Sequence, residues 1–480
     1  MLTVGFTAQE KELIVDTLMM PRPGVSMEVL VPLCKNGTCN RECVDACRSI
    51  HGEDAPLSFS VSKGYPVIDE AKCTECLSCI RSCPYGAITN IHLHNRKKHQ
   101  KTRLRASTPQ NKPYEISEDY SRFSESNMIF ARVRNDSSFE HYGKDEWHGA
   151  EAMIESNIEG YGRFEHELAV ANWHLYDART LVTGVPQEEI TRPKRNRTIQ
   201  AAPAELALAI KRAARFIGAD LVGIAQLDRR WLYSEDRKGN QYDIPEGFNR
   251  AIVMAIEMDY ESIATSPSFT SSAATALGYS QMAFLEIELA AFIRRLGYSA
   301  VSCGNDVGLS VPLAIDAGLG GYGRHGLLIT KKYGPRVRLA KVFTDMPLEP
   351  DQPDTKFAES VIRFCEVCEK CAEHCPSQSI PFGPERTITG ETKSNNPGVK
   401  KWYINPETCY GFWIENGSEC SNCLRSCPYN KEDGLLHRLI LWIVENMPWM
   451  NSLIVKMDDI VGYGKQKPPS SAWARYDKTS

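Results

Sequence analysis

The arrangement of the cysteines limits what this chain can fold into more than any other feature. Sixteen of the seventeen cysteines lie in two blocks, residues 34–83 and 365–427, which are about 280 residues apart. Each block contains the run Cys-x2-Cys-x2-Cys-x3-Cys-Pro, which begins at Cys73 in the first block and at Cys365 in the second. In such a run three thiolates hold one 4Fe–4S cluster and the fourth reaches a second cluster. The spacing therefore predicts four 4Fe–4S clusters and a chain that carries electrons.

Within each block, the fourth cysteine of a run binds the other cluster of the pair. This rule assigns every cysteine of the two blocks to a cluster. The other half of each block is less regular, with Cys-x4-Cys-x3-Cys-x3-Cys in the first block and Cys-x10-Cys-x2-Cys-x3-Cys-Pro in the second. A structural zinc site is the alternative, but zinc does not need the triple run followed by proline. The predicted ligand sets are Cys47, Cys73, Cys76 and Cys79; Cys34, Cys39, Cys43 and Cys83; Cys365, Cys368, Cys371 and Cys427; and Cys375, Cys409, Cys420 and Cys423.

The use of cysteine also bears on the compartment and the partners. The sequence shows no secretory or twin-arginine leader and no run of about 18 apolar residues, so we expect a cytoplasmic protein without a membrane span. In that setting these cysteine runs indicate metal sites rather than disulfides. A net charge of −4 predicts no particular partner, and we expect no nucleic-acid partner. The basic run at residues 95–105 has no interleaved aromatic residues, and we interpret it as a solvated linker.

Alternating helix and strand patterns predict an α+β core between the two blocks. An apolar stripe predicts a helix from Pro203 that ends at Gly218, and a second, longer helix should cover about residues 272–296. Residues 221–225 and 251–258 have the apolar composition of buried strands. The predicted domains are 1–92, a ferredoxin-like domain with two clusters; 93–118, a basic linker; 119–352, the core; 353–434, a second ferredoxin-like domain; and 435–480, a helical tail.

Several motifs have ordinary structural interpretations. The segment 318–323 matches GxGxxG, but a strand-like stretch follows it where a dinucleotide-binding motif requires a helix. Cys303 is expected to be a small buried apolar residue, and His148 and His325 are expected to be structural. The tail from residue 435 to 457 predicts an amphipathic helix interrupted at Pro448, packed on its own protein rather than on a membrane surface.

Long segments at residues 218–234, 251–268, 277–283 and 304–345, with the second cysteine block, resemble the corrinoid-dependent reductive dehalogenases from about residue 120 to the end. The resemblance implies a nitroreductase-like core that binds cobalamin base-off, flanked by two ferredoxin-like domains. The absence of a DxHxxG motif agrees with base-off binding. Residues 30–92 resemble the ferredoxin domain of the ribosome-recycling ATPases of the RNase L inhibitor type. The chain lacks the GxxxxGK[ST] loop of those ATPases, so only that domain is comparable.

The resemblance also implies the residues of an active site. Tyr279 matches the family's proton donor, and Arg338 matches an arginine that stabilises the phenolate left after proton transfer. Asn305 matches a polar side chain at the substrate or halide. Thr275, one helical turn before Tyr279, faces the same side and is assigned to the cofactor. Each of these residues taken alone has a structural interpretation, but their order within the matched segments favours the functional one.

The implied function is the replacement of a carbon–halogen bond by a carbon–hydrogen bond under anaerobic conditions. A base-off corrinoid reduced through 4Fe–4S clusters would act on a small organohalide, with electrons from a low-potential cytoplasmic donor such as a ferredoxin or flavodoxin. One alternative is an epoxyqueuosine-reductase-like enzyme, which would act on a modified tRNA base. A second alternative is a non-enzymatic electron-transfer protein that reactivates the corrinoid of another protein.

Overall fold

The computed structural model describes residues 27–29, 34, 39–63, 65–69, 72–73, 79, 82–83, 88–90, 106–107, 112–183, 198–242 and 244–477. The chain divides into two compact units. The first unit is Met1–Lys101 with Glu373–Ser379, and the second is Thr102–Ala372 with Ile380–Ser480. The predicted core, second cysteine block and tail therefore share one unit, apart from residues 373–379. The finer boundaries between them stay a prediction.

The described part of the first unit is a small α+β arrangement built around its cysteines. The helix Glu42–His51 has two acidic residues in its first turn and buries Cys43, Val44 and Cys47. Two antiparallel pairs accompany it, Met27–Val29 with Ile88–Asn90 and Leu57–Ser60 with Tyr65–Ile68. The helix thus presents cysteine side chains toward the interior of the unit.

The second unit is built on a four-stranded antiparallel sheet, called here the central sheet. Its strands lie in the order Leu221–Gln226, Arg250–Glu257, Val337–Thr344 and Ala300–Cys303. Residues 251–256 are all buried, which explains the continuous apolar run that predicted this strand. An antiparallel sheet with helices packed on it is an α+β fold, as predicted.

The helix Phe269–Arg295, called here the long helix, packs on the central sheet. Ser268 caps its N-terminus by accepting a hydrogen bond from the Ser271 N–H, and the helix ends within the predicted region. Among the described helices it alone is long and apolar enough to cross a membrane by composition, but 56% of its most apolar stretch is buried inside the protein. More than half of that stretch is therefore covered by the protein itself.

The helix predicted from Pro203 is confirmed as Pro203–Ile217, with Gly218 after it at φ 126°. The GxGxxG segment follows the helix Ser310–Asp316 and forms the strand Gly321–Tyr322, which pairs with Leu328–Ile329. A strand pair, rather than a helix, therefore follows the glycines. The strand-like stretch that the sequence predicted after the motif is confirmed.

The prediction that residues 93–118 form a linker is wrong for the last part of this range. Tyr114 is buried, and its hydroxyl donates a 2.5 Å hydrogen bond to Asp316. Lys112 forms an ion pair with the same carboxylate, and the Ala106–Ser107 strand pairs with Ile116–Ser117. The buried Tyr114 side chain outweighs the polar composition around it. The basic run at 95–105 lies outside the described residues.

The tail forms the helices Leu435–Asn446 and Asn451–Val461 with a short 3-10 turn at Pro448–Met450 between them, which confirms the predicted interruption. Their inner sides are buried, but large apolar side chains such as Leu435, Trp449 and Ile460 are exposed. The other helices among the described residues from 112 onward are Ile129–Asn135, Ala150–Glu155, Arg163–Asn172, His174–Thr183, Tyr260–Ala264, Thr355–Val367, Lys370–Glu373, Pro406–Asn416, Asn422–Arg425 and Pro469–Asp477, with 3-10 turns at Glu125–Asn127 and Arg229–Trp231.

We expect Phe343→Ala to lower the free energy of unfolding by about 3–5 kcal/mol, because Phe343 is fully buried in the central sheet and its loss leaves a cavity. Phe216→Ala is the matched control, since Phe216 is 93% exposed and its loss should change stability by less than about 0.5 kcal/mol. Anaerobic urea denaturation of both variants measures the difference. Equal effects of the two substitutions would contradict the predicted core.

Candidate active site

Tyr279 lies in the first half of the long helix, with its side chain partly exposed. The Asn305 side-chain amide donates a 3.1 Å hydrogen bond to the Tyr279 hydroxyl. The Arg338 guanidinium approaches the same oxygen at 3.5 Å and lies 4.6 Å from the centre of the tyrosine ring. The structure thus brings together the three residues that the sequence assigned to catalysis, from a helix, a loop and a strand.

The close approach of Arg338 depends on a glycine. A Cβ atom at Gly278 would lie 3.0 Å from the Arg338 Cγ atom and 3.3 Å from Met258. A side chain at this position would therefore require Arg338 or Met258 to move by a few tenths of an ångström. The Arg338 Nε atom is buried and has no hydrogen-bond partner among the described residues.

Two aromatic residues that the sequence analysis missed pack on Tyr279. Trp173 stacks on the tyrosine ring at 4.6 Å between centres, and Tyr176 meets it edge-on at 5.1 Å. Ser280 attaches the segment of these two aromatic residues to the long helix. Its hydroxyl donates to the Asn172 carbonyl and accepts from the Tyr176 N–H. The three-residue spacing of Trp173, Tyr176 and Arg179 was the available signal, since it places all three on one side of a helix.

Arg179 is the centre of a buried ionic cluster beside Asn305. Its guanidinium donates to Glu286 at 2.8 Å and to Asp306 at 2.5 Å. Lys341, also fully buried, donates to the Gly304 carbonyl and, at 2.8 Å, to Ser310. A Cβ atom at Gly304 would meet Arg179 at 2.5 Å. The residues on both sides of Asn305 are therefore held by buried cations.

The two carboxylates of this cluster respond differently to their surroundings. Burial raises the pKa of Glu286 to about 8, although Arg179 acts in the opposite direction. Burial also acts to raise the pKa of Asp306, but Arg179 and Lys341 outweigh it and hold that pKa below its usual value. One guanidinium shared by two carboxylates thus favours ionised Asp306 and a proton on Glu286.

The remaining predicted residues occupy ordinary positions around the site. Thr275 is buried one turn before Tyr279, and its hydroxyl lies 3.9 Å from the Met258 sulfur. Cys303 is fully buried, as expected for a small apolar residue. His325 is buried, which lowers its pKa to about 4, whereas His148 is exposed.

A cavity of about 270 Å³ adjoins Asn305. Aromatic and apolar side chains dominate its lining, among them Tyr114, Trp231, Tyr233 and Trp402. The cavity is large enough for a small ligand or for one part of a larger cofactor. Its contact with Asn305 connects it to the cluster of catalytic candidates.

The second cysteine block brings one predicted ligand set together. Burial raises the pKa of Cys427 to about 12, and the neighbouring Cys365 thiol adds to the effect. Burial likewise raises the pKa of Cys371 well above its usual value, with electrostatic contributions from Cys365, Cys368 and Cys427 and a smaller one from Cys423 of the other set. These four thiols are therefore close enough to repel one another as anions, which metal binding relieves. In the other set Cys375 falls in the segment 373–379, and that assignment stays a prediction.

The first block shows a similar grouping of one set. Burial raises the pKa of Cys43 to about 12, with further contributions from Cys83, Cys39 and Cys34. In the remaining set Cys76 lies outside the described residues, so that assignment stays a prediction. No three His, Cys, Asp or Glu side chains of the described residues converge on a single-ion site. A 4Fe–4S cluster spreads its iron atoms over four corners, so its ligands can act on one another without such convergence.

Comparisons with known proteins identify 4Fe-4S domains in both cysteine blocks. Residues 364–431 match the sequence profile of the 4Fe-4S dicluster domain, and residues 66–89 match that of the 4Fe-4S binding domain. Both cysteine blocks therefore carry 4Fe-4S domains.

The comparisons also extend to the core. The chain is 40% identical over 296 residues to the tetrachloroethene reductive dehalogenase of Desulfitobacterium hafniense. The aligned region covers 53% of each protein. It is 37% identical over 301 residues to that of Sulfurospirillum multivorans, covering 56% of this chain and 59% of the relative. The solved reductive dehalogenase NpRdhA has the same fold over 77% of this chain and 50% of its own, with a TM-score of 0.60 and 24% identity. The chain is therefore similar to the reductive dehalogenases, and it spans about half the length of the curated relatives it matches.

We expect Glu286→Gln to flatten the pH dependence of stability between about pH 5 and pH 8. Because the pKa of Glu286 is raised from 4.5 to about 8 on folding, the folded chain binds the extra proton in this window and loses stability as the pH rises. The substitution removes this contribution. The exposed Glu288 on the same helix provides the matched control, Glu288→Gln. Urea unfolding at the two ends of the window measures the slope, and an identical slope in Glu286→Gln and the native protein would contradict the assignment.

Proposed function

We propose that the protein is a reductive dehalogenase that replaces a carbon–halogen bond by a carbon–hydrogen bond. The observation that carries the proposal is the convergence of Asn305 and Arg338 on the Tyr279 hydroxyl, within a core related to the reductive dehalogenases. The overall reaction consumes two electrons and one proton and releases halide. The substrate class is a small organohalide, and the core is proposed to be nitroreductase-like.

The side chains divide this chemistry among them. Tyr279 donates its phenolic proton to the carbon that loses halide, and Arg338 stabilises the resulting phenolate by its charge. Asn305 fixes the direction of the hydroxyl through its 3.1 Å hydrogen bond. Trp173 and Tyr176 shield the ring from water, which strengthens these electrostatic interactions.

The residues around the site fit a corrinoid. The Arg338 Nε atom is buried and unpartnered among the described residues, and the cavity at Asn305 offers aromatic walls to one part of a large cofactor. Thr275 and Asn305 would lie beside it. When bound, the corrinoid supplies electrons to the carbon–halogen bond. The proposed source of those electrons is the second cysteine block, whose clusters change oxidation state one electron at a time.

We expect Tyr279→Phe to lower turnover of a halogenated substrate by about 10²- to 10⁴-fold, because the phenylalanine has no proton to donate. The variant should keep its corrinoid and iron content. Tyr298→Phe is the control, since its hydroxyl donates to the Ile199 carbonyl and lies outside the proposed site. Anaerobic assays with a chemical reductant measure turnover, and full activity of Tyr279→Phe would exclude this tyrosine as the proton donor.

The first cysteine block is proposed to relay electrons from a low-potential donor such as a ferredoxin or flavodoxin. We expect Cys43→Ser in the full chain to lose donor-driven turnover but to retain turnover driven by a strong chemical reductant. The substitution removes one thiolate from a predicted ligand set, so iron content should fall by about four atoms per chain. Comparison of the two assays provides the internal control. Equal loss in both would contradict a relay role.

An epoxyqueuosine-reductase-like activity is the alternative. The epoxyqueuosine reductase of Lactococcus garvieae is 29% identical to this chain over 128 residues, or 26% of the chain. This match is shorter and weaker than those to the dehalogenases. Assays of the reconstituted protein with an organohalide and with an epoxyqueuosine-containing tRNA stem loop separate the two functions.

A further inference from the structure

The glycine-rich segment 318–323 has a structural consequence for the second cysteine block. A Cβ atom at Gly321 would lie 2.7 Å from the Ala358 Cα atom, and one at Gly320 would lie 2.1 Å from the Ile329 carbonyl oxygen. The segment therefore packs directly against the helix Thr355–Val367, which carries Cys365 and is followed by Cys368. The glycines bring the next residue, Arg324, to residues 365–368 at the end of this helix, which include both cysteines and are called here the cluster loop.

The Arg324 guanidinium is fully buried and bonds to the main chain of that loop. Its Nε atom donates to the Cys368 carbonyl at 3.1 Å, and a terminal nitrogen donates to the Cys365 carbonyl. The other terminal nitrogen donates to the carbonyls of Pro381 and Gly383, at 2.8 and 2.7 Å. A planar group with several fixed donors is suited to hold such a set of carbonyls, whereas a lysine is not.

The positive charge of Arg324 has no hydrogen-bonded carboxylate among the described residues. The nearest carboxylate oxygen, from Glu369, is 3.9 Å away and accepts a hydrogen bond from the Gly383 N–H. The Arg324 guanidinium lies over the Trp402 ring, with its carbon atom 4.8 Å from the ring centre. A buried charge is costly unless a compensating charge is near. The thiolates of Cys365 and Cys368, whose carbonyls Arg324 binds, add to the Glu369 carboxylate as nearby anions once a cluster is held.

We propose that Arg324 is a positioning residue that fixes the loop of Cys365 and Cys368 and makes the cluster held there easier to reduce. The proposal rests on the proposed function in that this cluster delivers electrons to the site. Reduction adds one negative charge to the cluster, and a buried cation stabilises the reduced form more than the oxidised form. The cation therefore raises the reduction potential of the cluster.

The test is an anaerobic redox titration of the full chain with assembled clusters, followed by electron paramagnetic resonance, together with iron content. Arg324→Gln keeps a planar donor but removes the charge. We expect the reduction potential of one cluster to fall by at least about 59 mV, while the potentials of the other clusters stay unchanged. This shift is a tenfold change in the one-electron equilibrium constant. Full iron content with no shifted component would overturn the proposal.

Arg363→Gln is the matched control, because Arg363 lies on the same helix two residues before Cys365 but has a side chain that is 38% exposed. Solvent screens its charge, so no component should shift. A shift as large as that of Arg324→Gln would show that any nearby charge acts equally and would overturn the special role of Arg324.

Arg324→Lys keeps the charge but loses the fork of donors, and it decides the outcome if Arg324→Gln does not retain its iron. A lysine variant with assembled clusters and the native potential supports the charge effect. A lysine variant in which the reduction potential of that cluster falls by about 59 mV or more overturns the charge effect. The potential would then depend on hydrogen-bond geometry. The titration needs no substrate, so its result is independent of whether the protein removes halogens.

Discussion

The packing of the long helix on the central sheet is the interaction on which the candidate site depends. Met282, Leu285, Leu289 and Ile293 on the helix are fully or almost fully buried in the same cluster as residues of the sheet. Burial of such side chains contributes roughly 1.5–3 kcal/mol each, so this interface strongly fixes the position of the helix. Because Tyr279 belongs to the same helix, that packing also sets its distance from Arg338 on the sheet.

Buried cations fix the two places where geometry matters for the proposed chemistry. Arg179 and Lys341 hold the residues on either side of Asn305, and Arg324 holds the loop of Cys365 and Cys368. Desolvation of such charges is costly, and each is offset by several hydrogen bonds to carboxylates or carbonyls. These hydrogen bonds therefore position a catalytic candidate and a set of cluster ligands.

Much of the site could be anticipated from the sequence, but its surroundings could not. Tyr279, Asn305 and Arg338 were selected by a family resemblance, and the structure brings them within hydrogen-bond distance. Trp173 was missed because it lies outside the segments that carried that resemblance. Tyr114 was assigned to a linker because local composition does not reveal a distant buried partner such as Asp316. Cytoplasmic location and the electron donor stay predictions.

The sequence by itself determined the cysteine spacings and hence the predicted clusters, together with the apolar periodicity of Pro203–Ile217 and of the central strands. These are local properties, since ligand spacing and helix or strand period depend on neighbours along the chain. Only the tertiary structure decided that Arg324 binds the cluster loop and that Arg179 joins Glu286 to Asp306. The partners of Arg324 are 41 to 59 residues away, and those of Arg179 are 107 and 127 residues away. No local pattern specifies such contacts, because they arise when distant segments pack around one core.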